Sequence, residues 1–154
     1  MDHCDFCKNR PYHPEDFILE TDFWTILLGW NQQYVGKCLV VLNRHCGDLA
    51  KLTKEEWGEL LSLIERLEAS LRKTFPVDLF NWSCLMNGAF QGKWKEAEPH
   101  VHWHITPRYH KKIIFENEVF EDKVFGHHYN DDRTDRTLHP ETRKRLMEKI
   151  KKNL

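Results

Sequence analysis

His100-Val101-His102-Trp103-His104-Ile105-Thr106 sets three imidazoles at every second position. An extended strand sends alternate side chains to opposite faces. The three histidines would therefore stand in one row, with Val101, Trp103 and Ile105 directed into a core. Imidazole suits three kinds of chemistry near neutral pH: proton transfer, attack on phosphorus and metal ligation. A single catalytic ion held by all three histidines fits poorly. The first and last of three successive same-face positions lie about 13 Å apart on a strand rising ~3.3 Å per residue. The row reads as a functional site in which each histidine has its own task.

A second group of chemistry-bearing residues lies at the N-terminus, where Cys4 and Cys7 form a C-x-x-C pair. In a reducing compartment this spacing suggests metal or redox chemistry more than a structural disulfide. A tetrahedral structural zinc needs two further nitrogen or sulfur ligands. Single histidines that could supply them are His3, His13, His45, His110, His127, His128 and His139, besides His100 of the row. His45 follows an apolar strand-like run, where a strand end could aim it at the N-terminal segment. A Cys4/Cys7/His45/His100 set would tie that segment to two strands. The alternative is a pair of surface thiols. The gap from Cys7 to His100 lies far outside the ~12-residue span of a zinc finger.

These residues need a scaffold, and the chain has the length for one. At 154 residues it is most simply one domain, able to bury about 70% of its unfolded surface. Hydrophobic residues make up 40% and charged residues 31%, the composition of an ordinary globular protein. No apolar run approaches the ~18 residues of a membrane span, and the N-terminus lacks an apolar signal core; a cytoplasmic protein is expected. A net charge of −1 gives no bulk footprint for nucleic acid, and neither nucleic acid nor membrane is expected as a partner. Five cysteines is an odd number. Cys38 and Cys84 read as buried thiols, and Cys46 as partly exposed.

Phe17–Glu20 and Phe23–Leu28 read as a hairpin turning at Thr21-Asp22. Cys38–Leu42 is a continuous apolar strand. Thr53-Lys54-Glu55-Glu56 is a capping box opening a helix. Trp57, Leu60, Leu61, Ile64, Leu67 and Leu71 mark its apolar face, and Phe75-Pro76 ends it. Phe80–Met86 returns as a strand, the loop 87–99 follows, and then the histidine strand. Residues after Tyr109 are more polar and end in a helix from Pro140, with Pro suited to its first position. The order ββ-β-α-β-β predicts an α+β domain: an antiparallel sheet of about five strands, one long packed helix and a C-terminal helix.

With those elements in place, the chain resembles the zinc-bearing branch of the histidine-triad family of nucleotide hydrolases and transferases, and within it the dinucleoside polyphosphate hydrolases. The signature H-φ-H-φ-H-φ-φ fits His100–Thr106 except at its last position. Pro107-Arg108, Cys4-Asp5-Phe6-Cys7, the segment 36–45 and Asn87-Gly88 extend the likeness from Cys4 to about Tyr109. The resemblance implies a HIT-like domain over residues 1–110, with 111–154 as a C-terminal extension packed on it, and a homodimer with a continuous sheet. It implies that His102 attacks the α-phosphorus of a nucleotide to form a nucleotidyl-histidine, and that His104 donates to a phosphate oxygen. Cys4, Cys7, His45 and His100 would hold a structural zinc.

Several positions depart from the family pattern. Lys37 stands where many members have histidine, a flexible point charge that still neutralises phosphate. Ala97 stands where a hydroxyl residue is common, between Glu96 and Glu98. Gly29 takes the place of the usual ribose-binding acid; Asn31 could substitute, with Trp30 against the base and Asn87 orienting the phosphate end. Phe90, Lys93 and Trp94 offer a recognition loop, and His127-His128-Tyr129 matches nothing in the family and reads as surface. Dinucleoside polyphosphates and nucleoside phosphoramidates are both open as substrates. The alternative to an enzyme is a non-catalytic nucleotide-binding scaffold dimer.

Overall fold

A computed structural model describes residues 3–91, 98–128 and 134–154. Ala97, Lys93, Trp94 and Tyr129, singled out above, lie outside the described residues. Five strands form one antiparallel sheet in the order β1-β2-β3-β5-β4: β1 (Phe17–Glu20), β2 (Trp24–Leu28), β3 (Cys38–Leu42), β4 (Leu79–Ser83) and β5 (His102–Arg108). Along β5, Leu39 pairs with His104 and Val41 with His102, while β4 sets Ser83 beside His104 and Asn81 beside Thr106. The histidine strand is thus central, with β4 at the sheet edge.

The face opposite the histidines carries the core. Trp24, Ile26, Leu28, Val40 and Ile105 are buried there with Leu60, Leu63, Leu67 and Leu71 of the long helix α2 (Lys54–Thr74). (The short helix α1, Asp5–Lys8, precedes the sheet.) Each fully buried aliphatic side chain contributes about 1.5–3 kcal/mol. The helix begins with the expected capping box: Thr53 Oγ1 accepts from Glu56 N at 3.2 Å, and Glu56 Oε2 accepts from Thr53 N at 2.7 Å. Glu56 is itself buried and receives Arg44 Nε at 2.6 Å and Nη2 at 2.9 Å. The apolar stripe read from sequence is rotated in the structure. Leu63 joins the buried set, whereas Trp57 and Leu61 are exposed and with Ile64 line a groove on the flank.

A C-terminal helix, α3 (Pro140–Asn153), starts at Pro140 and buries Leu146 and Ile150. Ser70 Oγ donates to Ile150 O at 2.8 Å, and Asn153 Nδ2 to Thr74 Oγ1 at 3.0 Å, fastening α3 to α2. Arg143 of α3 donates to the carbonyls of Leu28 and Gly29 and to the Asp16 carboxylate. This closes the end of β2. Residues after Tyr109 also form a hairpin absent from the sequence reading, β6 (Ile113–Phe115) and β7 (Glu118–Phe120), which sends Ile113, Phe115 and Phe120 into the core. Cys46, expected to be partly exposed, is buried, and Cys84 only half-buried. Among the described residues no helix is long and apolar enough to cross a membrane. The architecture is the expected α+β fold of five antiparallel strands, a long helix and a C-terminal helix.

Candidate active site and metal centre

The central strand holds His102 and His104 of the row, while His100, expected on the same strand, lies just before it. His102 is 9% exposed, and its Nδ1 donates to the carbonyl of His100 at 2.7 Å. That bond fixes the tautomer: Nε2 is left with its lone pair. It faces His104 Nε2 at 3.1 Å. A hydrogen bond to the Leu85 backbone steadies His104 from the other side. Burial lowers the pKa of His102. Burial, reinforced by His102 and the Lys37 ammonium, lowers that of His104 to about 4. Both rings are neutral at pH 7, the form in which imidazole nitrogen is a nucleophile.

His100 faces a different set of atoms. Its Nε2 donates to Leu42 O at 2.7 Å, which leaves Nδ1 unprotonated and aimed at the thiols. Cys4 Sγ lies 3.3 Å and Cys7 Sγ 3.6 Å from that nitrogen, and Cys7 Sγ lies 3.5 Å from His45 Nδ1. The four donor atoms all fall within 4.8 Å of one another. A tetrahedral zinc with Zn–S near 2.3 Å and Zn–N near 2.05 Å separates its sulfur and nitrogen ligands by about 3.6 Å. The quartet therefore fits a tetrahedral Cys2His2 ion in donor type, number and spacing. Without a cation, burial and then the neighbouring Cys4 push the Cys7 thiol up to about 11. The four residues come from α1 and its N-cap, the loop after β3 and the approach to β5, so only the fold brings them together.

Other sequence-derived candidates are placed less uniformly. Lys37 precedes β3 and acts electrostatically on His104. Trp30 is 60% exposed. The Asn31 side chain ties its loop to the segment before α3: Nδ2 donates to Asp135, and Oδ1 accepts from the backbone of Gln33 and Arg136. Asn87 opens a short 3-10 turn on the surface. Glu98 accepts from the His3 backbone at 2.8 Å and so serves the N-terminal segment.

Two contributors escaped the sequence reading. Phe6, between the two cysteines, lays its ring against His102. Gln32 is fully buried, and its side chain bonds Gly29 O, Lys37 O and Gly36 N, holding the loop between β2 and β3. The buried glutamine had a local signal, lying between Gly29 and Gly36, whereas Phe6 depends on a long-range contact. Arg108, which reads from sequence as the anchor of the strand end, closes β5 and is buried against Asp122.

The HIT domain family model matches residues 10–111. The chain belongs to the histidine-triad family, which includes nucleotide hydrolases and transferases. Solved structures share the fold. A hypothetical histidine triad nucleotide-binding protein from Sulfolobus tokodaii is 16% identical, with 97% of this chain and 91% of that one covered at a TM-score of 0.67. A zinc-bound histidine triad family protein from Mycobacterium smegmatis is 19% identical, with 97% and 91% covered at 0.61. The diadenosine triphosphate hydrolase of Plasmodium falciparum, in complex with Cyclomarin A, is 16% identical, with 91% and 76% covered at 0.59. No curated protein sequence matches the chain.

Proposed function

We propose that the protein is a nucleotidyl hydrolase or transferase that works through a nucleotidyl-His102 intermediate. The observation that carries this reading is the 2.7 Å bond from His102 Nδ1 to His100 O, which leaves Nε2 unprotonated and open to attack. His102 Nε2 forms a bond to the α-phosphorus as the bond to the leaving group breaks. The departing group keeps that electron pair and takes a proton from water. His104, whose Nε2 lies 3.1 Å from that of His102, donates to a phosphoryl oxygen as charge develops there. Water then attacks phosphorus and loses a proton to solvent, and the P–N pair returns to Nε2. Splitting one displacement into two lowers each barrier. Lys37 neutralises phosphate charge, Trp30 receives the base, Asn87 orients the phosphate end, and Asn31 acts by holding the loop that carries Trp30.

Cys4, Cys7, His45 and His100 would hold a structural zinc, which supplies a rigid tie between the N-terminal segment and two strands. Residues 10–111 span the family match. We assign the reaction to residues 1–110 and a supporting role to 111–154. A homodimer completes the reading. Edge strand β4 has an open side, and beside it Trp57, Leu61, Ile64, Trp82 and Trp103 line an apolar groove. Trp103 Nε1 is buried there with no hydrogen-bond partner among the described residues. A second copy added at β4 would cover the groove and extend the sheet.

The deciding experiment measures turnover of adenosine polyphosphates and phosphoramidates by wild type and His102→Ala, with quenched samples weighed intact. Loss on the order of 10³-fold or more in the variant, with a nucleotidyl adduct on wild type alone, is expected. Nucleotide binding with neither turnover nor adduct would make the protein a binding module.

A further inference from the structure

Leu79, Asn81 and Ser83 of β4 pair with Arg108, Thr106 and His104 of β5, so their side chains stand on the histidine face of the sheet. Beside them opens a cleft of 390 Å³, closed on its far side by Gly126, His127 and His128. These last three residues lie beyond the segment 10–111 that the family model matches. The apolar groove lies on the opposite face of the same strands, and Trp82 at the sheet edge lines both.

The far wall is built in. Arg108 is 2% exposed; its Nε and Nη2 grip both oxygens of Asp122 at 2.5 and 3.0 Å. Its remaining donors bond Val124 O at 2.8 Å, His127 O at 3.2 Å and Asn81 Oδ1 at 3.0 Å. One guanidinium thereby fastens the wall to β4. Gly126, at φ +82°, supplies the left-handed turn that the wall requires. Asp122 pairs with Arg108, so its guanidinium is spent on the wall, and the rest of the polar lining is Asn81, Ser83, His127 and His128. On the same face of β5, between His104 and Arg108, the hydroxyl of Thr106 is buried with no partner among the described residues.

Displacement at phosphorus places the leaving group in line with the attacking nitrogen. The His100 end of the row is filled by Cys4, Cys7, His45 and Phe6. Room remains on the side of His104 and β4. A volume of 390 Å³ is in the range of small-molecule sites of roughly 300–1,000 Å³, far more than a bare phosphate needs. Granting His102 as nucleophile, we infer that this cleft receives the far end of the leaving group, an uncharged, hydroxyl- or amide-bearing moiety of nucleoside or sugar size.

The test is calorimetric binding to the full chain of AMP and of three non-hydrolysable analogues extending AMP through a methylene-bridged phosphonate. One analogue ends in a nucleoside, one in a neutral sugar and one in a terminal phosphate. The nucleoside or sugar analogue should bind at least tenfold tighter than AMP, and whichever is tighter names the source. That gain should vanish in His127→Ala/His128→Ala and, independently, in Leu79→Trp, which narrows the cleft while keeping its polar groups. AMP affinity should stay unchanged in both variants. No gain over AMP, a gain confined to the terminal phosphate, or equal weakening of AMP would overturn the assignment. Adduct formation on His102 from adenosine phosphoramidate, whose leaving group is small, tests the underlying reading separately. Adduct formation without the gain sinks the cleft alone; absence of AMP binding sinks both.

Discussion

The ring of Phe6 lies 4.5 Å from that of His102, tilted by 45°, and 5.4 Å from that of His100. The segment that carries both thiols therefore also covers one side of the candidate nucleophile. Phe6 is a positioning residue in this arrangement, because it touches the imidazole and not the reacting atoms. Phe6→Ala should keep its metal and fold yet lower kcat by about tenfold, given that misplacement near 1 Å can cost 10². Phe6→Leu, which keeps an apolar cover, should recover much of the loss. Unchanged kcat in Phe6→Ala would mean that the bond to His100 O holds His102 unaided.

The metal quartet makes a separable prediction. Wild type should contain one zinc per chain, and Cys4→Ser should lose it. At free metal a hundredfold above Kd, binding contributes about 2.7 kcal/mol, or roughly 5–11 °C in Tm for a chain of this size. His102→Ala should keep the zinc, since its Nδ1 faces a carbonyl and its Nε2 faces His104. Metal analysis with thermal melts checks both variants. Full zinc in Cys4→Ser would remove that thiol from the site, and loss of zinc in His102→Ala would point to an ion on the triad instead.

Glu56 joins the helix cap to Arg44, and chiefly through the Arg44 hydrogen bonds its pKa is lowered. A carboxylate with a depressed folded pKa stabilises above its unfolded pKa, ~4.3. That stability is lost as pH falls through the folded value. Glu56→Gln should cost about 1–2 kcal/mol at pH 7, the charged bonds being discounted because Arg44 is half in solvent. The Tm difference from wild type should shrink as pH drops from 7 toward 3. A difference independent of pH would assign the cost to packing rather than charge.

How far the sequence could be read follows from how local each signal is. The strand carrying His102 and His104, the capping box at Thr53 and the strand 38–42 rest on neighbouring residues, and each lies where expected, whereas His100 falls just before its strand. The β6–β7 hairpin was hidden because its strands have three residues each. Its two-residue turn also puts Glu116 and Asn117 at φ +48° and +64°, where Asn-Gly would have been the visible cue. The rotation of the α2 stripe was hidden for another reason. Periodicity marks an apolar face wider than the sheet can cover, and only packing decides that Leu63 goes in while Leu61 stays out. Phe6 on His102 and Arg143 on Leu28 and Gly29 join distant segments, and no spacing rule encodes such contacts.

Thr106 occupies the last position of the triad signature, where the family pattern has an apolar residue. Its side chain is 1% exposed, and Oγ1 has no hydrogen-bond partner among the described residues. A buried hydroxyl left unpaired costs about 1–3 kcal/mol. Valine keeps the β-branched shape that the strand favours and removes that cost. Thr106→Val should therefore raise the Tm of the ligand-free protein by roughly 2–4 °C per kcal/mol recovered. The hydroxyl lies between His104 and Arg108 on the face where the substrate is proposed to run, so a bound polar group would supply its missing partner. With an extended AMP analogue present, the Tm advantage of Thr106→Val should shrink or reverse. Melts with and without ligand separate the two roles. A lower Tm in the ligand-free variant would mean that the hydroxyl is already satisfied. An advantage that ligand leaves untouched would make Thr106 a defect of the core with no part in binding.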